Sequence, residues 1–377
     1  MYFTLMLWFP ALIIWVPIVA GQSSAASVDI IPGNTSTTYS NAQFTSQATL
    51  FDGPKVQPIN DTTADWWYFD VVSSDLNYTL VITFFAATHD SLWPATAELD
   101  SAVYMLFVLT LPDGTILAAN EVGQDLAVVT IDNGSSGVLG GTSNYWVASP
   151  DMSEYNVFVD VPELAVTGNI SFRSTSPAHY PCAPATASPG QRLYLGSTPT
   201  IGWLNAMPDA NATVNLNING TSLQFSGAGY HDKNWASQPV HTTASAWYWG
   251  HARLGPFSIV WFDFVSPDGS ELVSSYVAKE GKILSSTCAN ATVRPVGTNA
   301  VFPPTANASL SEPPSYNVTM EIEDEGTLIM QLVPTQVILS IPGTVWRWSG
   351  EILGGFGNGT TWHGVALYEQ FTFDSSL

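Results

Sequence analysis

Positive charge is scarce in this sequence: its 377 residues include nine Lys plus Arg against 31 Asp plus Glu, for a formal net charge of −22. Nucleic acids and anionic membrane surfaces are gripped through clusters of Lys and Arg, so both are excluded as partners. Charged residues of all kinds make up only 11%, well under the rough quarter of an ordinary globular protein, and no segment has the Glu, Lys, Ala and Leu periodicity of a surface helix. Helix is therefore expected to be rare. Several catalytic signatures are absent too: there is no Gly-x-Ser-x-Gly elbow, His-Glu-x-x-His, P-loop or Cys-x-x-Cys. Gly355-Phe356-Gly357-Asn358-Gly359 contains a glycosylation sequon and opens no helix, so it reads as a turn. Cys182 and Cys288 are the only cysteines. In an oxidising compartment they are most simply one disulfide, with two buried thiols as the alternative.

Apolar residues are plentiful. At 46% hydrophobic composition with 14 Trp, the chain can build the cores of two domains. Residues 2–20 are uncharged and almost wholly apolar, and Val19-Ala20-Gly21 supplies the small residues that a signal peptidase needs. Residues 1–21 are thus read as a cleaved signal peptide. The missing basic n-region keeps a retained anchor as an alternative, which Pro10 and Pro17 disfavour. Sequons begin at Asn34, Asn60, Asn77, Asn133, Asn169, Asn211, Asn219, Asn290, Asn307, Asn317 and Asn358, where chance would give roughly four. Their density points to a secreted, N-glycosylated protein, with each site on an exposed turn or edge.

Residues 22–48 are rich in Ser, Thr and Asn and read as disordered, so structure is expected to begin near Leu50. From there the chain is a succession of short β-rich runs. Asp65 to Val72 and Tyr78 to Phe85 flank a turn, and Val103 to Leu111 and Thr115 to Val122 flank Pro112-Asp113-Gly114. The Pro-rich segment 177–200 reads as the connection between an N-terminal β domain, 49–200, and a C-terminal one, 201–377. Trp247 to Arg253 followed by Pro267-Asp268-Gly269 echoes Trp66 to Asp70 followed by Pro112-Asp113-Gly114, a weak internal repeat. The expected class is all-β, with two antiparallel barrels or sandwiches.

The scarce cations gather in one stretch. Gly229-Tyr230-His231-Asp232-Lys233-Asn234-Trp235 and Trp247-Tyr248-Trp249-Gly250-His251-Ala252-Arg253 bracket residues that include His241. Strand alternation places Trp247, Trp249, His251 and Arg253 on one face, and Phe257, Ile259, Trp261 and Asp263 on one face of the next strand. A Trp-lined barrel interior with Asp, His and Arg at its rim fits both, and plain core packing is the alternative. Collecting His231, Asp232, His241 and His251 around a metal matches no standard ligand spacing. Trp346-Arg347-Trp348 and Trp362-His363 repeat the aromatic-plus-cation pattern.

These residues resemble a known family. The stretch from Gly229 to Trp235, with Trp247 to Gly250, is similar to the signature of the carotenoid hydratase-like (hydroxyneurosporene synthase-like) double-lipocalin proteins, which include fungal Diels–Alderases. Asp65-Trp66-Trp67-Tyr68 is similar to that family's N-terminal aromatic motif. The signal segment and the sequons set the chain apart from intracellular decalin-forming members. They resemble instead the secreted branch that joins a tropolone-derived ortho-quinone methide to a humulene-type sesquiterpene. The resemblance implies two lipocalin-like β domains with a pocket between or within them, hydrophobic substrates bearing carbonyl or hydroxyl oxygens, and no cofactor.

A cycloaddition needs orientation, which can supply up to ~7 to 11 kcal/mol, and a donor at the reacting oxygen, worth roughly 3 kcal/mol. Lys233, His251, Arg253, Arg294 and His363 are the candidate donors. Asp65, Trp67, Tyr68, Tyr230, His231, Trp249, Trp261, Asp263, Trp346 and Trp348 are the candidate substrate contacts. Two other functions stay open: a hydratase using Asp232 or Asp263 as its acid, and a non-catalytic carrier.

Overall fold

The computed structural model describes residues 25–92, 98–297, 300–304, 315–341, 343–357 and 359–373. The signal segment and the sequons at Asn307 and Asn358 lie outside them. Two antiparallel sheets dominate, as expected for an all-β, lipocalin-like chain. The first runs in the order Ala26–Pro32, Asp125–Ile131, Gly134–Leu139, Tyr145–Ala148, Glu154–Val161, Val166–Ser174, Ile201–Ile218, Thr221–Ala236, Ala64–Ser73, Thr79–Ala86, Val103–Thr110, Ile116–Val122. The second runs Lys282–Thr287, Glu271–Lys279, Phe257–Val265, Ala246–Leu254, Trp362–Thr372, Val345–Phe356, Gly326–Ile341, Ser315–Ile322, Ala291–Val296. Helix among the described residues is confined to Val240–Thr243 and a short 3-10 turn at Pro162–Leu164. The two Pro-Asp-Gly segments are hairpin turns, with Gly114 and Gly269 at positive φ, where the missing Cβ avoids strain.

Each sheet curls around its own core, and a third core lies between them. Ala64–Ser73 shows how the sequence achieves this: all ten of its residues are buried, because the strand is covered on both faces. Trp67, Phe69 and Val71 enter the core of the first sheet, while Trp66, Tyr68 and Val72 turn to the core shared between the sheets. Phe257–Val265 behaves alike in the second sheet, with Ile259 and Trp261 turned inward and Val260, Phe262 and Phe264 turned to the shared core. The Trp66 to Asp70 and Trp247 to Arg253 segments thus meet across the interface, Tyr68 against Trp249 at 5.4 Å between ring centroids.

Two sequence expectations change. Residues 26–32 are an ordered strand, paired with Asp125–Ile131 from Ala26↔Ile131 to Pro32↔Asp125; that ladder and the burial of Ile31 in the core of the first sheet outweigh the Ser and Thr content around them. The first sheet also continues past residue 200. The long hairpin of Ile201–Ile218 and Thr221–Ala236 belongs to it, so the first unit ends near Ala236, and the 177–200 segment folds back onto that unit through His179↔Asn205. The Cys182–Cys288 disulfide is formed and ties this segment to the second sheet. None of the nine described sequon asparagines is buried.

Candidate active site

The shared core is not filled completely. A cavity of about 80 Å³ remains between the sheets, with walls of Trp66, Phe85, Trp247, Trp249, Phe262 and Phe371 and a polar lining of Tyr68, Asp232, Asn234, Arg347 and Glu369. A larger groove of about 740 Å³ is open at the surface beside Ala26–Pro32, and none of the described residues lining it is aromatic. The cavity between the sheets is the better chemical site, since apolar walls with a few polar groups are the usual make-up of a small-molecule pocket.

Asp232 dominates its electrostatics. Its Oδ2 accepts hydrogen bonds from Trp203 Nε1 at 2.8 Å and from the Tyr230 hydroxyl at 2.8 Å, and its Oδ1 accepts from Asn234 Nδ2 at 2.6 Å. Trp249 Nε1 in turn donates to the Tyr230 oxygen at 3.3 Å. Burial pushes the Asp232 carboxyl up to about 6, against the pull of these donors and of nearby His231. Opposite, Arg347 Nε and Nη2 both donate to Glu369 Oε2, at 2.8 and 2.6 Å, and Trp247 Nε1 donates to Glu369 Oε1 at 3.0 Å. The site therefore holds one carboxyl raised toward neutral pH and one neutralised ion pair in an aromatic box.

The structure separates the sequence candidates into three groups. Tyr68, Tyr230 and Trp249 belong to the shared core, and His251 is beside them, stacked on Tyr230 at 4.4 Å with Nε2 2.9 Å from Asp70 Oδ1. His251 thus ties the sheets together and does not line the cavity. A second group lies within the first sheet. Lys233 alternates with Asp232 and faces the other way, paired with Asp65 and 3.9 Å above the Trp67 ring. Burial, and then the neighbouring Lys55, hold its amine well below the ordinary lysine range. His231 joins this group, bonded by Nδ1 to the Tyr68 carbonyl at 2.8 Å and with Nε2 3.1 Å from Asp52 Oδ1.

The third group lies in the second sheet: Trp261 and Trp348 in its core, with Trp346 packed against it, and Asp263 buried there against Arg294 at 3.1 Å. Burial and the nearby Glu271 push Asp263 up to about 8. The faces explain the split, because Trp249 aligns with Phe262 while Trp261 aligns with Gly250. The two four-residue faces expected to form one interior therefore look in opposite directions.

Three expected donors are engaged elsewhere. Arg253 is held by Asp209 at 2.6 Å, at the margin of the interface. Arg294, 38% exposed, also pairs with Glu271 at 2.9 Å. His363 is 67% exposed and pairs with Glu351 on the surface. His231, Asp232, His241 and His251 are not gathered either, since His231 and Asp232 face opposite sides and His241 bonds the Leu92 carbonyl. Arg347, Glu369 and Asn234 were not foreseen. The Trp346-Arg347-Trp348 pattern did carry a signal for Arg347, because alternation puts it on the face opposite the two tryptophans.

Comparison with known proteins adds the family. The model of the Diels-Alderase-like family matches residues 23–309. The chain belongs to the Diels-Alderase-like family. Among its relatives are the quinolone epoxide rearrangement protein penF of Penicillium thymicola, 33% identical over 85% of this chain and 89% of that protein, and asqO of Emericella nidulans, bearing the same description, 32% identical over 89% of this chain and 90% of that one. The crystal structure of CghA with Sch210972 shares the fold, with a TM-score of 0.71, 19% identity, and coverage of 92% of this chain and 99% of CghA. This Diels-Alderase-like chain is thus an enzyme of the cyclising and rearranging type, built on two curled β units.

Proposed function

We propose that this enzyme rearranges or cyclises a compact, planar, oxygen-bearing substrate in the cavity between its sheets, with Asp232 as proton donor. The observation that carries this reading is the placement of the Asp232 carboxyl, raised to about 6, in the aromatic lining of that cavity. An acid poised near working pH is suited to protonating a weakly basic oxygen. On an epoxide, the group for which the rearrangement proteins penF and asqO are named, the proton passes from Asp232 to the ring oxygen and the C–O electron pair leaves with that oxygen. A neighbouring bonding pair migrates to the carbon left electron-poor, and the product returns a proton to the carboxylate. The faces of Trp66, Trp247 and Trp249 suit the developing positive charge, and a substrate packed against them shields it from water. The step uses only the chain's own acid.

The second reading is the intermolecular hetero-Diels–Alder reaction of a tropolone-derived ortho-quinone methide with a humulene-type sesquiterpene. The aromatic walls support it, while a cavity of about 80 Å³ favours one compact substrate over two. The disulfide and the unburied sequons support assignment to the secretory pathway as a glycoprotein.

Incubation of purified enzyme with a quinolone epoxide in oxygen-18 water tests the reaction. An isomer of unchanged mass and without label is expected. A product heavier by one labelled water identifies a hydratase, an adduct with an added alkene identifies the cycloaddition, and tightly bound but unaltered ligand identifies a carrier.

A further inference from the structure

One hydroxyl of the cavity has no partner among the described residues. Tyr68 is buried, its oxygen makes no hydrogen bond, and it lines the cavity beside Asp232 and Arg347. A buried polar group left unpaired costs about 1–3 kcal/mol, which a native fold tolerates where a bound molecule completes the bond. Tyr68 pairs with Asp232 across neighbouring strands of the first sheet. Arg347 reaches toward it from the second sheet, with its guanidinium carbon 5.3 Å from the Tyr68 ring centroid. Because Glu369 engages Nε and Nη2, Nη1 is the guanidinium nitrogen left for another acceptor. Two side chains able to donate, one from each sheet, therefore line the same cavity.

The charge balance around them says what they would hold. Glu369 neutralises Arg347 and Asp232 is adjacent, so a free carboxylate would meet two carboxyl groups and only one cation. A neutral carbonyl whose oxygen is enriched in electron density by conjugation gains both hydrogen bonds without that repulsion. Resting on the reading that this cavity is the substrate site, we infer that Tyr68 and Arg347 form a two-donor clamp for one conjugated carbonyl oxygen of the substrate, as in a lactam, vinylogous amide or enone. The clamp holds a carbonyl oxygen other than the reacting one, which is left for the neighbouring Asp232. Tyr68 and Arg347 thereby set substrate class, and the clamp is complete only where the two sheets meet.

Binding of three probes, followed by quenching of the cavity tryptophans, tests the clamp without turnover. The probes are quinolin-2(1H)-one, its O-alkylated counterpart 2-methoxyquinoline, and quinoline-2-carboxylate. The wild-type enzyme is expected to prefer the lactam over both others by about tenfold or more, the scale of one or two buried hydrogen bonds. Tyr68→Phe removes a hydroxyl that bonds nothing in the chain, so the fold survives, and the preference is expected to fall to about threefold or less. Asp232→Asn is expected to keep the preference while losing turnover, which separates failure of the clamp from failure of the acid. Equal binding of lactam and methoxy probe by the wild type, binding of neither, or an unchanged preference in Tyr68→Phe would overturn the inference.

Discussion

Replacing Asp232 by Asn is expected to make the enzyme more stable and nearly inactive at once. Burial raises this carboxyl from 3.8 to about 6, so at pH 7 the folded state carries a charge that it disfavours by about 3 kcal/mol relative to the unfolded chain. The sign follows from the direction of the shift. The native state binds the proton more tightly, so the cost is present above about pH 6 and fades as pH falls from about 6 toward 3.8. Asn removes the charge, its amide oxygen can keep the bonds from Trp203 and Tyr230, and Asn234 can flip its amide to meet the new NH₂. A gain of about 1–3 kcal/mol at pH 7, shrinking at pH 4, is expected from urea unfolding. Activity should fall by roughly 10²- to 10⁴-fold, the range for loss of a general acid. With about one tenth of Asp232 protonated at pH 7, the wild-type rate should rise toward pH 6 and level off below it. A variant with near wild-type rate, or a wild-type profile flat from pH 5 to 8, would refute the reasoning.

Tyr230→Phe removes a donor that favours the Asp232 carboxylate, so the fall in rate on the alkaline side of the pH–rate profile should move to higher pH. Lys233→Met leaves buried Asp65 without its side-chain partner and is expected to cost about 1–3 kcal/mol, with the pH–rate profile unmoved, because Lys233 faces away from the cavity. His251→Ala leaves buried Asp70 without its hydrogen-bond partner at the interface and should cost about 1–3 kcal/mol in urea unfolding. Replacing Cys182 and Cys288 by Ser opens a closure of 106 residues, for an expected loss of about 4–5 kcal/mol on the chain-entropy account.

The sequence made the β class legible because Val, Ile, Trp and Tyr runs alternate with Gly, Asn and Pro turns, and hairpins such as Ala64–Ser73 with Thr79–Ala86 formed as read. It also placed Trp247, Trp249, His251 and Arg253 on a common face. It could not say what each face meets. In Tyr230 to Trp235 both faces are buried, so nothing in the hydrophobic pattern distinguishes Asp232, turned to the shared core, from Lys233, turned to the core of the first sheet. Rarity of positive charge drew attention to Lys233, Arg253, Arg294 and His363, yet each is matched by a carboxylate. In so acidic a chain most cations find acids, and Arg347 keeps a free edge only because Glu369 engages the other. Ion pairs formed between distant strands are invisible in one dimension.

The most direct test of the site is a crystal structure of the Asp232→Asn variant soaked with a substrate epoxide that the wild type turns over. The account requires ligand density between the sheets, against Trp249 and Tyr68, with the epoxide oxygen within hydrogen-bond distance of residue 232. Density inside the first sheet against Lys233, or inside the second against Asp263, would contradict it.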